Sequence, residues 1–225
     1  MKRVLLYIAI FSIIIIGGVL IYQTLKEKTK EEISMPQENL SGPEGKQASY
    51  GVNKKAAMIL ASRDFRDEEY FVPKEIFEGA GIEIKNVSDQ TGMAIGADGG
   101  EVKIDFSLGD LKVSDFDAII FIGGPGALKH LDNESSYQIA KDAVSQNKVL
   151  AAICVSPAIL AKAGVLKDKR ATVWSSPLDK SAVKILRDNW AIYQDMSMVA
   201  DGKIVTANGP AAAEIFAKAI IEVLK

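Results

Sequence analysis

The chain has 225 residues, enough for one ordinary domain and an appendage, and its 48% hydrophobic and 25% charged residues are those of a globular protein. A formal net charge of −2 gives a nucleic-acid partner no electrostatic support. The single cysteine, Cys154, rules out an internal disulfide and a cysteine-built zinc site, and the single histidine, His130, rules out a histidine-rich metal centre, so no cofactor is expected.

The chain is uncharged from Val4 to Tyr22, about the length a helix needs to cross a bilayer core, with Tyr7 and Tyr22 placed for the interfaces. A cleaved signal peptide would have a shorter apolar core and a small-x-small cleavage site, whereas Gln23-Thr24-Leu25-Lys26 follows here. Residues 1–22 are therefore predicted to be a single-pass signal anchor, and the membrane a partner through residues 4–22. Lys2 and Arg3 before the span nearly balance Lys26, Lys28 and Lys30 after it. The short N-terminal tail favours an extracytoplasmic placement of the large C-terminal domain. Residues 23–53 are polar, carry Pro36, Gly42, Pro43 and Gly45, and read as a flexible linker.

From residue 54 to residue 225 the pattern is that of one folded domain. Ala56–Leu60 is an apolar strand. Glu68–Ala80 has helical spacing and stops at Gly81. Ile82–Val87 is a second strand, and Gly92–Phe106 alternates around Asp98-Gly99-Gly100 as a hairpin. Ala118–Ile122 is a fully apolar strand followed by Gly123-Gly124-Pro125-Gly126. Ser135–Ser145 is a helix, Val149–Ile153 a strand, and Pro157 opens another helix. Ala171–Trp174 is read as a strand, Ser181–Asn189 as a helix, Met198–Thr206 as a hairpin turning on Asp201-Gly202, and Ala211–Leu224 as an amphipathic helix. Helices alternating with continuous apolar strands predict an α/β fold with a mostly parallel sheet covered on both faces. Its ligands would bind at the C-terminal strand ends, where Gly123-Gly124, Cys154 and the loop from Ser62 to Asp67 converge.

Cys154 stands between the strand ending at Ile153 and the helix opened by Pro157, with small residues two before (Ala152) and two after (Ser156). A tight strand-to-helix turn needs such residues, and it sets a nucleophile against the free N–H groups of a helix start, which favour a thiolate. The other reading of the segment is a buried cysteine closing a core strand.

Taken together, four stretches resemble the DJ-1/PfpI superfamily, relatives of the class I glutamine amidotransferases, over about Lys55 to Leu224. They are Phe65-Arg66-Asp67-Glu68-Glu69, Ile122-Gly123-Gly124-Pro125-Gly126, Ala152-Ile153-Cys154-Val155-Ser156-Pro157 with the Leu160–Leu166 segment, and Asp201–Pro210. The resemblance implies a flavodoxin-like three-layer sandwich with a nucleophile elbow, Cys154 as the reactive cysteine, the N–H groups of Gly124 and Val155 as oxyanion donors, and a homo-oligomer. The chain departs from the family where histidines stand: Val155 directly follows the cysteine, and Trp174 occupies the position one strand later. The family's glutamate falls on Arg66 in an ungapped reading, and His130 matches no role and reads as a surface residue.

Without either histidine a Cys–His peptidase mechanism is not expected. Arg66 is either a solvated loop residue or a cation that stabilises a Cys154 thiolate directly. Glu68 and Glu69 either complement the helix dipole or, for Glu69, supply a proton donor at the cysteine. Two functions fit. In one, Cys154 attacks a small electrophile over the Gly124 and Val155 donors, as a thiol-dependent hydrolase, lyase or deglycase-like enzyme. In the other, the domain is a redox sensor or binding module in which an oxidant acts on Cys154.

Overall fold

The computed structural model describes residues 54–225. The anchor expected over residues 1–22 and the linker over 23–53 lie outside the described residues, among which no helix is long and apolar enough to cross a membrane.

Along the chain run β1 (Lys55–Ile59), β2 (Arg63–Phe65), α1 (Asp67–Gly79), β3 (Glu83–Ser88), β4 (Gly92–Gly96), β5 (Glu101–Ile104), β6 (Phe106–Ser107) and β7 (Ala118–Phe121). There follow α2 (Ala127–His130), α3 (Glu134–Ser145), β8 (Val149–Ile153), α4 (Pro157–Lys162), β9 (Arg170–Ala171), α5 (Ser181–Asp188), β10 (Ile192–Tyr193), β11 (Met198–Asp201), β12 (Ile204–Ala207) and α6 (Ala213–Leu224). The main sheet has the order β11-β12-β8-β7-β1-β3-β6, and every neighbouring pair is parallel except β11 with β12.

The apolar strands bury both faces, and their period of two divides the core. Ala57 and Ile59 of β1, with Leu150 and Ala152 of β8, pack on the face covered by α3, α4 and α5. Met58 of β1, with Ala151 and Ile153 of β8, packs on the face covered by Tyr70 and Phe77 of α1 and Phe216 and Ile220 of α6. Each large side chain so enclosed contributes about 1.5–3 kcal/mol of transfer free energy.

Two local readings are corrected. The strand expected over Ala171–Trp174 is only Arg170–Ala171, which pairs with β10 outside the main sheet. Beyond it, the Thr172 N–H donates to Thr206 Oγ1 at 2.9 Å and the Trp174 N–H to the Cys154 carbonyl at 2.7 Å, so this stretch is bound to the elbow and not to a strand ladder. The segment read as a plain loop from Ser62 to Asp67 contains β2, which joins the β4–β5 hairpin in a three-stranded sheet. That small sheet holds the start of α1 over the strand ends: Asp67 accepts the N–H groups of Asp98 at 2.8 Å and Gly100 at 2.6 Å.

Candidate active site

Cys154 directly follows β8 with φ +64°, a left-handed conformation that costs a non-glycine residue about 1–2 kcal/mol. Three hydrogen bonds hold it there. Its N–H donates to the Ala207 carbonyl at 2.9 Å, its carbonyl accepts the Trp174 N–H, and the buried Ser156 hydroxyl donates to the Ile122 carbonyl at 2.8 Å. The close contact of Ser156 with β7 explains why a small residue follows the cysteine by two.

The glycines after β7 carry the opposite wall. Gly124 has φ +118°, and a side chain there would strike the backbone of Arg66 and Asp64. A side chain on Gly123 would strike Cys154 and come within 2.6 Å of Glu69 Oε2. The Arg66 N–H donates to the Gly123 carbonyl at 3.0 Å and the Gly126 N–H to the Asp64 carbonyl at 2.9 Å, strapping the β2–α1 turn onto this loop. The N–H groups of Gly124 and Val155 both act on the Cys154 sulfur.

Glu69 is fully buried, and neither carboxyl oxygen has a hydrogen-bond partner of standard geometry among the described residues. Burial pushes its carboxyl up to about 7, opposed by the Cys154 thiol, the Arg66 guanidinium and the Gly123 N–H. Burial, with the Glu69 carboxylate acting the same way, pushes the Cys154 thiol up to about 12 against the pull of the Gly124 and Val155 amides. Both effects oppose the thiolate that a helix start favours. The largely buried sulfur lies beside the Glu69 carboxyl, and burial and that carboxylate both favour the protonated thiol.

The glutamate beside Cys154 is Glu69 and does not stand at position 66, while Arg66 lines the cavity into which Cys154 opens. The ungapped placement fails because the acidic side chain that reaches Cys154 lies one helical turn further on, at Glu69, inside a helix that begins at Asp67. One Arg66 guanidinium N–H donates to Asp98 Oδ2 at 3.2 Å. Glu68 is exposed, so the two adjacent glutamates divide into one solvated and one enclosed. Pro73, inside α1 four residues after Glu69, has no N–H to donate to the Glu69 carbonyl.

His130 is also corrected. It is not a free surface residue: its side chain is mostly buried, Nδ1 lies 2.9 Å from Asp89 Oδ2, and Nε2 is enclosed without a partner among the described residues. Asp89 further accepts from the Ser62 N–H at 2.8 Å, the Ser62 hydroxyl at 3.0 Å and the Ser88 hydroxyl at 3.0 Å. This cluster ties the end of β1 to the helix that follows the glycine loop. A single aspartate just after β3 carries no sequence signal for that role.

Cys154, although only 8% exposed, opens into a cavity of about 260 Å3 lined by Arg66, Gly124, Pro125, Cys154, Val155 and Trp174. Among the described residues no histidine lines it. The model of the DJ-1/PfpI family matches residues 54–223. The chain belongs to the DJ-1/PfpI family. It is 38% identical over 174 residues to an uncharacterised protein of Methanocaldococcus jannaschii, covering 77% of this chain and 82% of that one. It is 30% identical over 168 residues to a deglycase of Pyrococcus abyssi, covering 75% of this chain and 98% of the other. Among solved structures, a ThiJ/PfpI domain protein of Brachyspira murdochii superposes with a TM-score of 0.72 at 32% identity, covering 77% of this chain and 98% of that chain. Membership accounts for the flavodoxin-like order of the sheet and for the elbow that presents Cys154.

Proposed function

We propose that the domain is a Cys154-dependent enzyme that acts on small carbonyl or acyl electrophiles, deglycase-like in its chemistry. One observation carries this reading: the buried Glu69 carboxyl lies against the Cys154 thiol, and that thiol opens, with Gly124 and Val155, into one small cavity. The P. abyssi deglycase supports the reaction class.

The Glu69 carboxylate takes the thiol proton as the sulfur adds to a carbonyl carbon. The C–S bond forms, the π pair moves to oxygen, and the oxyanion meets the N–H groups of Gly124 and Val155. Glu69 then returns the proton, to the oxygen of a hemithioacetal or to the leaving group of an acyl substrate, whose thioester water afterwards hydrolyses. A carboxyl titrating near 7 suits both halves of that transfer at neutral pH. The test is turnover of methylglyoxal and of a simple thioester by the purified protein and its Cys154→Ser variant. Turnover lost in the variant supports the enzyme; equal turnover in both overturns it.

The lack of a histidine in the cavity lining favours a second reading, a redox sensor. Peroxide would convert the thiol to a sulfenic acid with release of water, and protonated Glu69 would donate to the new oxygen. A 16 Da gain confined to Cys154, without turnover of either substrate, selects it.

We also infer, from the uncharged run Val4–Tyr22, that the domain is tethered to a membrane on its extracytoplasmic side, and, from the family resemblance, that it forms a homo-oligomer. Extraction with alkaline carbonate tests the first: release into the soluble fraction removes it. Light scattering in detergent tests the second.

A further inference from the structure

We propose that Arg66 selects substrates that carry a carboxylate next to the reacting carbon, such as a short 2-oxo acid or an aldehyde acid. This rests on Cys154 being the nucleophile toward small electrophiles, and it names the class among them.

Arg66 is the one charged residue that lines the cavity; Gly124, Pro125, Val155 and Trp174 are uncharged, and Glu69 is enclosed behind the sulfur. A guanidinium offers five N–H donors in a planar fork. One of them reaches Asp98 at 3.2 Å, and the others have no protein partner among the described residues. The Asp98 side chain is 62% exposed, so the pair is a surface ion pair worth at most about 1 kcal/mol and does not hold the fork away from a ligand. The backbone on either side is fixed, since the Arg66 N–H is bonded to Gly123 and the next residue, Asp67, is bonded into the hairpin turn. The cation thus lines the same cavity as the oxyanion donors of Gly124 and Val155.

Size narrows the ligand. The cavity, about 260 Å3, lies just below the roughly 300–1,000 Å3 of pockets that take drug-sized molecules, so a few heavy atoms fill it. A molecule whose carbonyl meets Gly124 and Val155 and whose carboxylate meets the free edge of Arg66 has both anionic oxygens and the developing oxyanion satisfied, against an indole and a valine as the apolar wall. A neutral dicarbonyl leaves the guanidinium without a partner from the ligand.

The experiment compares two nearly isosteric alkylating reagents that differ in charge, iodoacetate and iodoacetamide. In each, the sulfur displaces iodide from the methylene carbon. Rates at Cys154 are followed by mass spectrometry on the detergent-solubilised full chain, and the iodoacetate-to-iodoacetamide ratio is normalised to that of glutathione. The ratio is expected to exceed the glutathione value by about tenfold, the size of one charge-assisted hydrogen bond. It should fall to the glutathione value in Arg66→Gln, fall part-way in Arg66→Lys because the planar fork is lost, and shrink with added salt. In Asp98→Asn, which frees the fork, it should rise. Glyoxylate should likewise outcompete methylglyoxal as substrate in the wild type. A wild-type ratio equal to that of glutathione, or one unmoved by Arg66→Gln, overturns the proposal and leaves the enzyme reading standing. A Cys154 that reacts with neither reagent overturns both.

Discussion

Glu69 and Cys154 face each other across Gly123, so closely that a methyl group on that glycine would strike both. The carboxyl raises the thiol and the thiol lowers the carboxyl, which makes the two a single proton-sharing unit. Glu69→Gln removes the charge that repels a thiolate while keeping the shape. The inflection of iodoacetamide alkylation against pH is expected to move down, although burial still holds it above that of a free thiol. Turnover should fall by about 10²–10⁴-fold, because no group is left to move the proton. An upward move of the inflection would mean that neutral Glu69 stabilises the thiolate, and the assigned direction would be wrong.

The same residue makes stability depend on pH. Its folded value, about 7, lies above the ordinary 4.5, so the folded state holds the proton more tightly. The wild type is then most favoured below pH 4.5, loses stability as pH rises through 7, and loses no more from this group beyond that. The full difference is about 3 kcal/mol. Thermal melts of wild type and Glu69→Gln should therefore diverge between pH 5 and pH 8, with the variant gaining. Parallel curves would show that Glu69 is ionised in both states throughout.

Gly124→Ala tests the backbone requirement. A side chain at φ +118° is strained whatever the space, and here it also meets the backbone of Arg66 and Asp64. A loss of at least about 1–3 kcal/mol is expected, which lowers the melting temperature by roughly 2–10 °C in a domain of this size. Alkylation of Cys154 should slow as well, since the displaced N–H no longer faces the sulfur.

Asp89→Ala removes one carboxylate from four donors or partners at once: the Ser62 N–H, the hydroxyls of Ser62 and Ser88, and His130. Leaving such groups unpaired costs about 1–3 kcal/mol for the most buried of them, and urea unfolding should report a loss in that range. Although burial opposes it, those hydrogen bonds hold the Asp89 carboxyl below its ordinary 3.8. Its contribution is thus present above that value and disappears as pH falls through the lower folded one, opposite in sign to Glu69.

Trp174→Ala should widen the cavity and admit larger electrophiles, raising kcat/KM for a bulky thioester relative to a small one. The indole also reports occupancy. In Trp190→Phe, which replaces an exposed side chain at 71% accessibility, Trp174 is the remaining tryptophan and its emission should change when an unreactive carboxylate enters Cys154→Ser.

Much of this architecture is legible in the chain. Fully apolar runs at Ala118–Ile122 and Val149–Ile153 can only be strands buried on both faces, and the small residues around Cys154 mark its turn. The partner of the cysteine is harder to find. Three acidic residues in a row, Asp67, Glu68 and Glu69, look alike in a sequence, and only the helix phase set by the β2–α1 turn decides that the third points inward. What acts on the thiol is hidden for a related reason: a helix start favours a thiolate, but the burial and the Glu69 carboxylate that oppose it are tertiary facts. Asp89 and His130 meet through residues far apart in the chain, so neither carries a local pattern.

Cys154 is the only sulfhydryl in the chain, and that limits how the protein can recover from damage. No second thiol exists to resolve an oxidised sulfur within the same polypeptide. Return of an oxidised Cys154 to the thiol would need a thiol from outside the chain, which would have to enter the cavity that Arg66 and Trp174 line.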